Sequence, residues 1–249
     1  LAYALVEHKQ KGWQVRIGRY PANSRKLLAV DEVQFIKEWD LRTISKAMEE
    51  GFLQIDRVQS KGYESQTRLI MIGNPRKDHV MDDFTFGCDA LQYVFPPTVI
   101  RRTDLIVFAN YGDLKDLSFI NKRYEKQGEP AITPAMLRAV VFWAWNLRPE
   151  QIEFADAAID LCLLKAKEIS EKYGYATKIP LVTISDARNK LARVAAAFAV
   201  LNMSCNDDFT RLFILAEHVQ AAVLFLEDLY SADNCQLDER SHIAKVETQ

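Results

Sequence analysis

Leu27-Leu28-Ala29-Val30-Asp31-Glu32 is a short apolar run that ends abruptly in two acids. Four apolar residues in a row, too few for a helix, are what a strand buried on both faces looks like. Such a strand delivers its two carboxylates together at its C-terminal end. Carboxylates so placed can help hold a metal ion or orient an attacking water. Taken alone the pattern is weak, because apolar strands ending in Asp-Glu also arise by chance.

Two further runs of the same kind follow. Arg68-Leu69-Ile70-Met71-Ile72 leads into Gly73-Asn74-Pro75, and Val99-Ile100-Arg101-Arg102-Thr103-Asp104 leads into Leu105-Ile106-Val107-Phe108. An asparagine leaving a strand can hydrogen-bond a γ-phosphate or its lytic water, although Asn-Pro is also a common strand terminator. An arginine just before a strand can reach a neighbouring subunit's nucleotide, or simply join a surface ion pair. Between the first two runs, Trp39 to Glu50 carries Leu41, Ile44, Ala47 and Met48 at helical spacing. Strand, helix and strand in that order imply a parallel sheet. Phe52 to Ser65, with a turn at Lys61-Gly62, reads as a hairpin projecting from that sheet.

After about Asp113 the pattern is expected to be all helix. Thr133-Pro134 is a helix start, a cap followed by proline in the first turn. Ile152, Ala155, Ile159, Leu163 and Ala166 keep a 3.6-residue period, as do Leu191, Val194, Ala195, Phe198 and Leu201, and Val219, Ala222, Val223 and Leu226 close the series. Trp143 and Trp145 are expected in the core of this helical half. Asp207-Asp208 reads as a loop or helix-start feature, and the residues after Ser231 as a frayed tail.

Composition bounds the rest. The chain has 249 residues, 49% hydrophobic, enough for one large domain or two small ones. Its longest apolar runs fall far short of the roughly 20 residues that cross a bilayer. Cys88, Cys162, Cys205 and Cys235 are widely spaced, without a C-x-x-C pair, and form no metal-ligand spacing with His8, His79, His218 and His242. A reducing cytoplasm is the expected location. The net charge of −2 conceals an asymmetry. Lys9, Lys11, Arg16, Arg19, Arg25 and Lys26 face no acid between His8 and Val30, whereas Asn206 to Glu239 carries eight acids against Arg211 alone. A basic front and an acidic back suggest polarity of binding surfaces, although both could equally be solvated faces.

The ordered set resembles the MCM helicase branch of the AAA+ ATPases. The matching features are an Asp31-Glu32 strand (Walker B), a helix closing on Ala47-Met48-Glu49, a hairpin, a strand ending in Asn74-Pro75 (sensor 1), and Arg102-Thr103-Asp104-Leu105-Ile106 as the arginine-finger element. Leu191-Ala192-Arg193 followed by an alanine-rich stretch is similar to the family's lid. The resemblance implies an α/β AAA+ core over residues 1–112, a helical lid over 113–230 and a tail over 231–249. It implies ATP and magnesium as cofactors, with Asp31 at the magnesium, Glu32 activating water, Asn74 sensing the γ-phosphate and Arg102 acting on the neighbour's nucleotide. Arg101 and Arg188 are further nucleotide-contact candidates.

Tyr3 to Gly18 is similar to the family's helix-2 insertion, and Arg57 aligns with the basic residue that the hairpin before sensor 1 carries into the ring's channel. Lys9, Lys11, Arg16, Arg57 and Lys61 are thereby expected to touch DNA, single-stranded in a central channel of a self-associated ring. The location would then be nucleoid or chromatin. The flanks depart from the family: Val33-Gln34 stand where Phe-Asp is usual, and Arg101-Arg102-Thr103 where Ser-Arg-Phe is. The sensor 2 arginine falls at Asp186, with Arg188 the nearest candidate. No G-x-x-x-x-G-K-[ST] loop occurs. The chain is therefore expected to be a fragment that begins inside the ATPase domain. Two other readings stand beside the helicase: a catalytically inert AAA+ relative serving as a structural or DNA-binding module, and a protein-remodelling or chelatase-type ATPase with a helix-2 insertion.

Overall fold

The computed structural model describes residues 1–8, 12–56, 60–76, 79–110 and 132–247. They form two compact units, Leu1–Leu105 with Ala176–Leu181, and Ile106–Tyr175 with Val182–Gln249. The chain is a mixed α/β protein with short parallel sheets.

In the first unit, β1 (Tyr3–His8) and β2 (Gly12–Ile17) form an antiparallel hairpin, followed by the four-residue helix α1 (Arg19–Ala22). The hairpin is seated on the next helix: the Tyr3 and Trp39 rings meet edge to face at 5.3 Å, and the Ala2 amide donates to Asp40 Oδ1 at 3.3 Å. Strands β3 (Leu27–Val30) and β6 (Arg68–Met71) pair in parallel, Leu27 opposite Arg68 through Val30 opposite Met71.

Between them run α2 (Glu38–Glu50) and the antiparallel hairpin of β4 (Phe52–Asp56) and β5 (Ser60–Glu64). The amphipathic spacing of α2 has its expected result, since Leu41, Ile44 and Ala47 are wholly buried. Each large aliphatic side chain so buried contributes about 1.5–3 kcal/mol. Glu38 and Asp40 in the first turn suit the positive end of the helix. Gly51, in the left-handed region at φ 66°, stops it, and its carbonyl accepts from the Ser65 amide to close the hairpin base. Leu53 and Ile55 turn inward to join Val33, Val94 and Val99 in the core, while Phe52, Gln54 and Asp56 face out. Helix α3 (Pro97–Arg102) packs beside α2.

The third expected strand does not form. Leu105–Phe108 makes no ladder, and Val107 is 76% exposed. A strand needs backbone partners on a neighbouring strand, and among the described residues β3 and β6 pair only with each other.

The second unit is not all helix. Ile152–Phe154 (β7) and Leu212–Ile214 (β8) pair in parallel, with Leu212 and Ile214 buried. Ile152, read as the start of a helical period, lies in this strand, and the helix begins only at Asp156. A three-residue strand gives too little alternation to outweigh the helical period that follows it.

The second unit's helices among the described residues include α4 (Pro134–Asn146), α5 (Asp156–Tyr173), α6 (Ala187–Leu201) and α7 (Ala216–Tyr230). Thr133 caps α4 as expected, its hydroxyl accepting from the Met136 amide at 3.2 Å. The alanine-rich stretch lets α6 approach its neighbours, with Ala195 and Ala199 wholly buried beside Leu191. Trp143 and Trp145 are only half-buried, and α4 buries no residue. Trp143 instead spends its indole N–H on the Phe209 carbonyl at 2.7 Å.

The stretch after Ser231 is not frayed over the described residues. It forms α8 (Leu237–Glu247), held by buried Cys235, Leu237 and Ser241, whose hydroxyl accepts from the Tyr175 amide at 3.1 Å. Among the described residues no helix is long and apolar enough to cross a membrane.

Candidate functional site

The parallel register of β3 and β6 brings their C-terminal ends to one edge, where three expected site residues meet. The Ile72 amide donates to the Val30 carbonyl at 2.8 Å, and the Val33 amide to the Ile72 carbonyl at 3.0 Å. These bonds carry the ladder past both strands. The Asn74 amide then donates to Gln34 Oε1 at 3.1 Å. Asp31, Glu32 and Asn74 are all exposed along this edge.

Glu32 sits in the left-handed region, φ 51° and ψ 44°, where a side chain with a Cβ is strained, and its amide donates to Asp31 Oδ1 at 2.8 Å. Gly73 is needed by close approach: a Cβ there would lie 2.6 Å from Val33 Cγ1 and 2.8 Å from Gln34 Oε1. Gln34 and Gly73 were not singled out by sequence reasoning. The Gln34 flank, noted only as a departure from the family, is what ties the asparagine strand to the carboxylate strand.

Among the described residues no cluster of three or more His, Cys, Asp or Glu side chains would hold a metal by itself. Magnesium asks for less than such a cluster, since that ion keeps several waters and is bound through one or two carboxylates plus substrate phosphates. Asp31 is the residue that would hold it, with Oδ1 already turned to the Glu32 amide.

Arg102 lies elsewhere. In the last turn of α3, its Nε donates to Glu49 Oε2 at 2.9 Å, Nη2 to the same oxygen, and Nη1 to Ser45 Oγ and the Thr98 carbonyl, each at 3.3 Å. Glu49 and Ser45 belong to α2, whose C-terminal end Glu49 occupies. The carboxylate pair precedes the N-terminal end of that helix. Eleven residues at about 1.5 Å each separate Glu38 from Glu49 by roughly 16 Å. Arg102 is therefore held at the end of α2 opposite to the one the chain enters after Asp31 and Glu32. Arg101 is exposed on the same turn. Arg188 is exposed in the first turn of α6, in the second unit. Asp186, at the position counted for sensor 2, precedes that helix and accepts from the Thr183 hydroxyl at 2.8 Å.

Of the five expected DNA contacts, Lys9, Lys11 and Arg57 lie outside the described residues. Arg16 on β2 and Lys61 on β5 are exposed. At the end of the second hairpin's ladder remote from its base, Gln54 Nε2 donates to Asp56 Oδ1 at 2.9 Å and to Ser60 Oγ at 2.7 Å, while the Ser60 hydroxyl donates to Asp56 Oδ1 at 2.6 Å. The Ser60 hydrogen bond first, then that from Gln54, holds the Asp56 carboxyl below its ordinary 3.8.

A carboxyl depressed by folding stabilises the folded state above its unfolded value and loses that contribution as pH falls through the folded one. The network thus weakens only below about pH 3.8. By NMR titration, Ser60→Ala is expected to move the Asp56 midpoint up toward 3.8; an unmoved midpoint would remove the network from the account.

All four cysteines are free, and burial pushes the Cys235 thiol up to about 12, which keeps it unreactive at neutral pH. No family model matches the chain, and no curated protein matches it.

Proposed function

We propose that this chain is part of an MCM-like AAA+ ATPase subunit, which in a ring hydrolyses ATP with magnesium and moves on single-stranded DNA. The observation that carries this reading is the meeting of Asp31, Glu32 and Asn74 on one edge of a parallel strand pair. Asp31 helps hold magnesium, Glu32 orients water and Asn74 contacts the γ-phosphate. The place of Arg102 at the far end of α2 supports a finger that serves a neighbour's nucleotide. The hairpins carrying Arg16 and Lys61, both exposed, offer charge to a phosphate backbone. The reading requires a phosphate-cradling loop that these 249 residues do not contain, so its tests use the full-length protein.

Mixing subunits separates a ring ATPase from an inert relative. Glu32→Gln and Arg102→Ala proteins are each expected to be inactive alone. Mixed rings place an intact Glu32 opposite an intact Arg102 at some interfaces, so turnover is expected to return to roughly a quarter of wild type if interfaces assort randomly and act independently. Absence of any recovery sinks the trans-acting arginine. The inert reading draws support from one observation, that all three nitrogens of the Arg102 guanidinium already have partners within its own chain.

A further inference from the structure

The guanidinium of Arg102 is occupied in this structure. Two of its nitrogens donate to one oxygen of Glu49, and the third to Ser45 and to the Thr98 carbonyl. A group so held cannot also fork onto a phosphate, because the same N–H donors would be needed there. The hold is nonetheless weak. The Glu49 side chain is 56% exposed and that of Arg102 is 25% exposed, so solvent and salt screen their attraction. A finger arginine, by contrast, contributes on the order of a thousandfold or more to phosphoryl-transfer turnover. Glu49 can therefore restrain the arginine without preventing its use.

We propose that Glu49 stores Arg102 in an idle position and releases it to the nucleotide of an adjoining subunit, so that Glu49 sets the fraction of finger-competent subunits. The proposal rests on the ATPase reading above. Ser45 Oγ, which donates to the Arg42 carbonyl and accepts from Arg102, lies one helical turn before Glu49 on α2. The stored position thus uses one face of that helix. Only the population of the competent state changes when the carboxylate is removed, since Glu49 lies at the far end of α2 from the carboxylate edge.

The test is steady-state ATP turnover of the full-length protein carrying Glu49→Gln, with Glu49→Asp as a second variant that keeps the charge but shortens the reach by one methylene. Both variants are expected to raise turnover about two- to fivefold, the range that an exposed ion pair supplies. The rise is expected to vanish in the Glu49→Gln, Arg102→Ala double variant. Urea melts of both single variants confirm that they are folded. Turnover that stays unchanged or falls in the folded variants overturns the storage role and makes Glu49 a positioning residue or a bystander. Failure of Glu32→Gln and Arg102→Ala subunits to complement each other overturns the trans-acting arginine, and the storage role with it, whereas absence of ATP turnover in the wild-type full-length protein overturns the ATPase reading itself.

Discussion

Gly73→Ala is expected to lower stability by about 1–3 kcal/mol and full-length turnover by roughly a hundredfold. The added Cβ would stand 2.6 Å from Val33 Cγ1, 2.8 Å from Gln34 Oε1 and 3.4 Å from the Val33 amide nitrogen. Gln34 is a flexible side chain and can swing aside, at the loss of its bond from Asn74. Val33 cannot swing so easily. It is wholly buried among Leu41, Ile44 and Val99, and its amide is bonded to the Ile72 carbonyl. Strands β3 and β6 must then separate locally, which shifts Asn74 relative to Glu32. A displacement near 1 Å between reacting groups is enough for the loss of rate. Urea denaturation and ATP turnover check the two effects independently. An unchanged urea midpoint would mean that the strands do not approach as closely as described.

The edge was legible in the sequence because it depends on nothing but strand direction. Once Leu27–Val30 and Arg68–Met71 were read as parallel strands, Asp31-Glu32 and Asn74 had to leave the sheet on the same side. The second hairpin was legible as a span, Phe52 to Ser65, but not in its register: Lys61 and Gly62, read as its turn, lie inside β5 opposite Ile55 and Gln54. What escaped depends on contacts between distant residues. Arg102 meets Glu49 across 53 positions, and nothing local to either marks the pairing. Strand β7 meets β8 across a similar span, each with only three residues to announce itself. Leu105–Phe108 has the composition of a buried strand, yet composition does not supply the neighbour that would make it one. Trp143 and Trp145 show the same limit from the other side, because an apolar helix is buried only where something packs on it, and α4 buries none of its residues.

Two substitutions at Glu32 separate strain from chemistry. The residue is held at φ 51°, and an L side chain in that region costs on the order of 1 kcal/mol. Glycine adopts the same conformation without the clash, though it also gives the unfolded chain more freedom, which offsets part of the gain. Glu32→Gly is therefore expected to leave stability unchanged or raise it by up to about 1 kcal/mol. Glu32→Gln keeps the Cβ and the strained backbone, so its urea midpoint is expected to match wild type. Both variants lose the carboxylate proposed to orient water, and on that proposal turnover is expected to fall by about 100- to 10,000-fold in each. Nucleotide binding is expected to survive in Glu32→Gln, because Asp31 and the phosphate contacts remain. A strained residue whose relief stabilises the protein while removing its activity marks a backbone held for function. A glycine variant that is more stable and fully active would instead make the left-handed turn at Glu32 an accident of how β3 ends.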